Sequence, residues 1–311
     1  QESCHEKKNI QEIALLWKED RKQYVKLSTI SAYSLIIENE ICPNFGSKSA
    51  VSEEDVQAFI LKKLDEGLSQ KTVRDILTVL KMIMKYGAGK GLVSYNEWTL
   101  RFPTSGERHS VEVLGRAEQK KIMDHVRSHF TFRNLGIYIC LSTGLRIGEI
   151  CALKWKDINL PEGIISVRRT IGRIYVVDAP QRHTELVIDT PKTRNSAREI
   201  PMAQELVRMI RPLMKIVNHD FFILTNSDKP TEPRTYRNYY KKLMEELEMP
   251  PLKFHALRHS FATRCIESKC DYKTVSVLLG HSNISTTMDL YVHPGHDQKK
   301  RCVEQMFRSL K

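Results

Sequence analysis

The sequence predicts a mainly α protein with a small antiparallel β-sheet, an α+β chain in which an all-helical domain precedes a mixed one. Three observations predict it. At 311 residues the chain is longer than one ordinary core, so two domains are expected. The first hundred residues carry apolar positions at helical spacing with capping signals, whereas residues 164–201 hold β-rich runs separated by turn residues before helical patterns return. The charge is also split. Residues 1–100 hold 14 Lys+Arg and 14 Asp+Glu, and residues 101–311 hold 35 and 23, so the whole excess of +12 lies in the second part. An excess of that size attracts polyanions, nucleic acid first.

Stretches around residues 13–24 and 28–38 have a helical pattern. Ser52 followed by Asp55 is a capping-box pair, Val56, Phe59, Ile60 and Leu64 then recur at helical spacing, and Gly67 marks the stop. Ser69 starts the next helix, on which Val73, Ile76, Leu77, Leu80 and Ile83 line one face. Lys71, Arg74, Lys81 and Lys85 lie largely away from that stripe. They are candidate DNA contacts, and equally the solvated face of a bundle helix. Periodicity fails between about residues 95 and 115, where Pro103-Thr104-Ser105-Gly106 clusters helix breakers. The expected division is a helical domain over 1–100, a linker over 101–115, and a mixed domain over 116–311 ending in a tail over 292–311.

Within the mixed domain an amphipathic helix is expected over 117–128 and an apolar one over 135–141 that breaks at Gly144. Strand-like runs occupy 164–167, 174–177 and 186–188, and helices are expected at 203–217, 235–247, 256–268 and 272–279. Arg168, Arg169 and Arg173 sit in a segment longer than a minimal sheet connection, either an added β-element that touches DNA or a neighbour, or a mobile surface hairpin. In the tail, Val303, Met306, Phe307 and Leu310 are spaced as one face of a short amphipathic helix, which needs something to pack on.

Several function classes are disfavoured. No run of eighteen apolar residues marks a membrane span. Seven cysteines are scattered without a CxxC pair and no secretory signal opens the chain, so a reducing, cytoplasmic setting is expected. The chain opens at Gln1 rather than methionine, from which upstream residues are expected. His255 and His259 lie four apart, as metal ligands can, but no zinc spacing surrounds them, and neither a P-loop nor a dinucleotide fingerprint is present. No metal and no cofactor are therefore expected. Ser142 or Cys151 as nucleophile would need an aligned base that the sequence does not announce.

What remains is an ordered set of cationic and histidine side chains. Arg146 follows a helix-breaking glycine, Lys192 sits at a turn between strand-like runs, His255 and Arg258 lie one helical turn apart, His281 follows Gly280, and Tyr291 closes the series. A phosphodiester under attack gathers charge on its non-bridging oxygens, which two guanidinium groups are suited to neutralise. A lysine could protonate a departing alkoxide, and histidines could accept or share the nucleophile's proton. Singly, each has a plain structural explanation: a surface arginine, a polar core histidine, a packing tyrosine.

The ordered set resembles the tyrosine recombinases of the phage and conjugative-transposon integrase family. The motifs are Thr143-Gly144-Leu145-Arg146-Ile147-Gly148-Glu149, then Thr190-Pro191-Lys192-Thr193 before Arg198-Glu199-Ile200-Pro201, then His255-Ala256-Leu257-Arg258-His259, Leu278-Leu279-Gly280-His281-Ser282, and Tyr291. The resemblance is strong over 135–295 and rests on general layout in the helical part. It implies a helical core-binding domain and a mixed catalytic domain forming a C-shaped clamp on duplex DNA that carries a specific recombination site. By that resemblance Tyr291 attacks the scissile phosphate to give a 3′-phosphotyrosyl link, and Arg146 and Arg258 stabilise the pentavalent state. Lys192, with Lys154 and Lys156 as competitors for the role, serves as acid to the leaving oxygen, His255 as base or proton-sharing partner of Tyr291, and His281 as a hydrogen-bond donor to the phosphate. Glu149 orients Arg146. The function implied is integration and excision of a mobile element, in a bacterial cytoplasm at the nucleoid. Self-association into a tetrameric synapse through the tail is implied too, with room for a DNA-bending or directionality factor. Chromosome-dimer resolution and type IB topoisomerase activity are the alternatives, and a non-catalytic DNA-binding regulator stands further off.

Overall fold

The computed structural model describes residues 8–104, 111–176, 181, 183–190, 197–291 and 296–310. Lys192 with its neighbours Pro191 and Thr193, Arg182, and Ser105-Gly106 of the breaker cluster lie outside the described residues. The chain divides into two compact units: Gln1–Arg108 with Arg173–Glu185, and His109–Gly172 with Leu186–Lys311.

The first unit is a helical bundle. Helix α1 (Ile10–Arg21) opens with a capping box in which Asn9 and Glu12 exchange side-chain-to-backbone hydrogen bonds, both 2.9 Å. Helix α2 (Leu27–Ile36) runs through a π-helical turn, Ile37–Ile41, into the short α3 (Cys42–Phe45). Helix α4 (Glu53–Asp65) is capped by Ser52 and Asp55, as the sequence pattern predicts. Helix α5 (Gln70–Gly89) starts after Ser69 and buries Val73, Ile76, Leu77, Leu80 and Ile83 against Ile13, Trp17, Phe59 and Ile60. Gly87 is required where α5 meets α1: a Cβ there would stand 2.8 Å from Val93 and 2.9 Å from Ile13.

Residues 92–102, which span the boundary expected at 100, pack into this unit's core. Val93 and Trp98 are buried, Arg101 exchanges two main-chain bonds with the Gln57 amide (2.9 and 3.0 Å), and the Thr99 N–H donates to Glu53 (2.8 Å). The segment lacks periodicity because side chains of α4, not its own backbone, satisfy its polar groups. Residues 173–185 join the same unit, where the Tyr175 N–H donates to Ser31 Oγ at 2.8 Å and the Tyr175 hydroxyl donates to Glu38 at 3.3 Å.

The second unit begins with α6 (Arg116–Ser128) and α7 (Phe132–Thr143), the latter buried over most of its length. A single turn, α8 (Ile147–Cys151), follows. Strands β1 (Ile158–Asn159), β2 (Ile164–Val167) and β5 (Arg198–Pro201) form an antiparallel sheet in the order β1-β2-β5, with Ile165 paired to Ile158 on one side and Ile200 on the other. Strands β3 (Thr170–Tyr175) and β4 (Thr184–Asp189), which share residues 173–175 and 184–185 with the first unit, make a separate two-stranded sheet, so among the described residues the antiparallel strands fall into two small sheets. Helix α9 (Gln204–Ile210) is shorter than the expected 203–217, because Pro212 cannot continue it and a 3-10 turn takes over at Leu213–Lys215. Helices α10 (Pro233–Glu246), α11 (His255–Glu267), α12 (Tyr272–Leu279), α13 (Ile284–Tyr291) and α14 (His296–Ser309) complete the unit. Its core packs α7 with Trp155, Tyr236, Tyr240, Phe254 and Leu257. No helix among the described residues is long and apolar enough to cross a membrane.

Candidate active site

Two helices of the second unit end on glycines in the left-handed conformation: α7 at Gly144 (φ +68) and α12 at Gly280 (φ +66). Each turn delivers a site residue just beyond it, Arg146 and His281. Gly144 is doubly constrained, since a Cβ would also stand 2.6 Å from Phe261 and 2.9 Å from Leu279.

The last carbonyls of α12 are taken by three different arginines. Arg198 Nε donates to Leu278 O (2.6 Å), Arg258 Nη2 to Leu279 O (2.7 Å) and Arg146 Nη2 to Gly280 O (3.3 Å). Arg258 Nη1 also donates to Gly144 O (2.8 Å), so one guanidinium ties both glycine turns together. A helix C-terminus presents unsatisfied carbonyls and the negative end of the helix dipole, which explains why cations can be gathered here at all.

Glu149 offsets part of this charge. Its carboxylate accepts from Arg146 Nη1 (2.9 Å) and, in bidentate fashion, from Arg198 Nη1 and Nη2 (3.0 Å each), and it also caps the Arg146 backbone N–H (2.9 Å). Burial works to raise the Glu149 pKa, yet the bonds and charge of Arg198, with those of Arg146, hold it below the usual carboxylate value. Three guanidinium groups against one carboxylate leave the centre cationic.

The arginines differ in access. Arg258 is 2% exposed, and burial followed by the charge of Arg146 pushes its pKa down to about 9. The Arg146 side chain is 35% exposed, which leaves it an edge for a ligand. Around them stand the histidines. His281 Nδ1 lies 2.8 Å from the hydroxyl of buried Thr287, and burial together with Arg258 and Arg146 lowers its pKa to about 4. His255 has an exposed residue surface, but the protein packed behind it, then His259, Arg258 and Arg146, lower it to about 4 as well. Both imidazoles are therefore neutral at neutral pH and can donate a hydrogen bond without adding charge.

Tyr291, at the end of α13, is half-buried. Burial raises its pKa to about 12, against the opposing pull of Arg258 and Arg146. Its hydroxyl lies 2.5 Å from His259 Nδ1. This departs from the expectation that His255 is the proton-sharing partner: α11 turns His259 toward the tyrosine, while His255 packs edge-on against His259 with ring centroids 4.5 Å apart.

The structure thus gathers Arg146, His255, Arg258, His281 and Tyr291, with Glu149, into one centre; Lys192 lies outside the described residues. Arg198 and His259 stand within the family motifs, but sequence reasoning assigns neither a role at the centre and weighs His259 otherwise only as a metal ligand. For neither does spacing carry a signal, because β5 and α13 meet them only in the folded unit. Among the described residues no group of three His, Cys, Asp or Glu could hold a metal ion.

The candidate DNA contacts are placed elsewhere. Along α5, Lys71 pairs with Asp75 (3.2 Å) and Lys85 with Glu97 (3.8 Å), the Arg74 guanidinium stacks 3.7 Å from the Phe102 ring centre, and Lys81 is half-buried beside them. Arg168 is exposed between β2 and β3, Arg169 is turned inward onto buried Asp157, and Arg173 donates to Thr184 O (3.1 Å).

Residues 112–298 match the phage integrase family, and residues 9–63 match the phage integrase N-terminal SAM-like domain. The chain is 29% identical over 286 residues to a tyrosine recombinase XerC-like protein of Caldanaerobacter subterraneus subsp. tengcongensis, covering 84% of this chain and 72% of that one. It is 24% identical over 269 residues to the ICEBs1 integrase of Bacillus subtilis, covering 82% of this chain and 70% of the relative. In fold it resembles the Tn1549 transposon integrase solved with transposon right-end DNA, with a TM-score of 0.77 at 22% identity over 94% of this chain and 99% of that one. The chain belongs to the phage integrase family, and it is a site-specific recombinase of the tyrosine type.

Proposed function

We propose that the protein exchanges strands at a specific site in duplex DNA, integrating and excising a mobile element, with Tyr291 as the nucleophile. The observation that carries this reading is the meeting of the Tyr291 hydroxyl with a cationic centre built on Arg146 and Arg258. Attack forms a bond from Tyr291 Oη to phosphorus and breaks the bond to the 5′ oxygen, giving a 3′-phosphotyrosyl link and a free 5′-hydroxyl. Transfer to a new 5′-hydroxyl reverses the step, so the bond energy is conserved and no nucleotide is consumed. Arg146 and Arg258 neutralise the charge that develops on the non-bridging oxygens, and their fixed main-chain bonds mean that little reorganisation is needed during reaction. His255 and His281 supply neutral N–H donors to the same oxygens. Lys192 is the proposed acid for the leaving 5′ oxygen.

The relatives named for mobile elements support integration and excision, and the XerC-like relative keeps chromosome-dimer resolution as the second reading. The exposed apolar face of α14, where Val303 is 54%, Met306 48% and Phe307 60% accessible, with Leu310 just beyond it at 74%, supports docking of the tail on a neighbouring protomer in a tetrameric synapse. Removing residues 296–311 is expected to cost synapsis, read on native gels, more than simple DNA binding; unchanged synapsis would remove the tail from the assembly.

The function is tested by recombination between two cognate sites in excess EDTA without ATP. Wild-type protein is expected to recombine them. Tyr291→Phe is expected to bind the site with nearly unchanged affinity and yield no product. A requirement for Mg²⁺, or a Tyr291→Phe variant that still recombines, would contradict the reading.

A further inference from the structure

A tyrosine hydroxyl becomes a nucleophile only when something takes its proton, and the side chain that stands there is His259. Its Nδ1 is 2.5 Å from the Tyr291 hydroxyl, with the two ring centroids 5.6 Å apart. His255, on the preceding turn, touches His259 rather than the tyrosine. The charged and titratable groups around His259 come from three elements: His255 and Arg258 on α11, Tyr291 on α13, and Glu112 from the segment before α6. Burial, then the charge of Arg258, lowers the His259 pKa from the ordinary histidine value, while the Glu112 carboxylate favours the protonated ring. The resting pair is therefore a neutral phenol and a neutral imidazole, and in the tautomer that carries its proton on Nε2 the His259 Nδ1 accepts from the Tyr291 hydroxyl.

We propose that His259 is the proton acceptor for Tyr291 during strand cleavage, an inference that rests on Tyr291 being the nucleophile. As Oη bonds to phosphorus and the bond from phosphorus to the 5′ oxygen breaks, the Oη proton passes to His259 Nδ1. The departing 5′ oxygen takes its own proton from the general acid, and rejoining returns both protons. The arrangement couples basicity to substrate. A bound phosphodiester places negative charge beside Arg146 and Arg258, offsetting the repulsion the Arg258 guanidinium exerts on a His259 imidazolium, so His259 becomes a stronger base when DNA occupies the centre.

The test is single-turnover formation of the covalent adduct on a cognate duplex nicked just beyond the scissile phosphate, followed against pH. For wild-type protein the rate should rise as pH passes the His259 value and then level off. His259→Gln should slow the adduct by about 100-fold or more at neutral pH, with a rate that keeps climbing into the alkaline range. Installing difluorotyrosine at position 291, whose hydroxyl is more acidic, should restore much of the rate lost in His259→Gln and change little when His259 is present. A structural defect would not respond in that way. An adduct rate and pH profile unchanged by His259→Gln, or a defect that difluorotyrosine leaves intact, overturns the inference. A reading independent of any His259 variant comes from nitrogen NMR of labelled histidines, where the Nδ1 signal of His259 should shift in Tyr291→Phe; an unmoved signal also overturns it. Absence of any wild-type adduct would instead overturn the reading of Tyr291 itself.

Discussion

Positive charge is handled in opposite ways on α5 of the first unit and at the α12 C-terminus of the second. On α5 of the first unit, Lys71 and Lys85 lie on the surface with partners at 3.2 and 3.8 Å. In the second unit Arg258 is 2% exposed and donates to two main-chain carbonyls, and the Arg198 side chain is 4% exposed and shares Glu149 with Arg146. Exposed cations are screened and mobile, which suits affinity for a polyanion but fixes no geometry. Buried cations are costly to desolvate, and the α12 carbonyls and Glu149 provide the compensating bonds. The difference teaches that the first pattern suits the affinity for a polyanion proposed for it, whereas the second suits the fixed geometry that the proposed transition-state role demands.

The largest effect that could break this contrast is expected at Glu149. Glu149→Gln leaves the buried Arg198 guanidinium without its counter-charge and should destabilise the second unit by about 3–5 kcal/mol, measured by denaturant unfolding. Wild-type protein should lose stability in acid for a related reason. Glu149 has its folded pKa lowered, so its contribution is present above the ordinary carboxylate value and is lost as pH falls through the folded one. His255 and His281, lowered to about 4, act with the same sign, because the unfolded chain binds protons that the folded site refuses. Unfolding followed from neutral pH down to the value of these histidines should show a midpoint that falls with pH; a flat profile would contradict the buried-charge account.

The smallest effects belong to α5. Replacing Lys71 and Lys85 together by alanine should weaken DNA binding less than tenfold and reduce the slope of log affinity against log salt by about 2, with no change in the chemical step once DNA is bound. A loss of chemistry at saturating DNA would erase the distinction between the units.

What could be read in the sequence follows the range of the interactions that decide it. Ser52 with Asp55 sets the start of α4 within one turn, and the glycine that ends α7 is likewise a local signal, so both were legible. Arg146, His255, Arg258, His281 and Tyr291 were legible through ordered spacing and family resemblance. Nothing local marks Arg198, whose carboxylate partner Glu149 is 49 residues away, or His259, whose partner Tyr291 is 32 away. The packing of residues 92–102 was missed for the same reason: Trp98 and Val93 are buried by helices earlier in the chain, and their backbone is bonded to Gln57 and Glu53. Arg169 looked like a basic surface residue until Asp157, twelve residues earlier, claimed it.

The central claim is that Tyr291 attacks DNA at a centre preorganised by Arg146 and Arg258, and the covalent intermediate tests it most directly. A cognate duplex nicked just beyond the scissile phosphate releases a short fragment after cleavage and so traps the adduct. Wild-type protein should give a protein–DNA species that survives denaturing electrophoresis and maps by mass spectrometry to Tyr291. Arg146→Ala and Arg258→Ala should each slow its formation by at least about 100-fold, the scale for losing one preorganised charge stabiliser. An adduct on another tyrosine, or an alanine variant at either arginine that forms the adduct at the wild-type rate, would contradict the account.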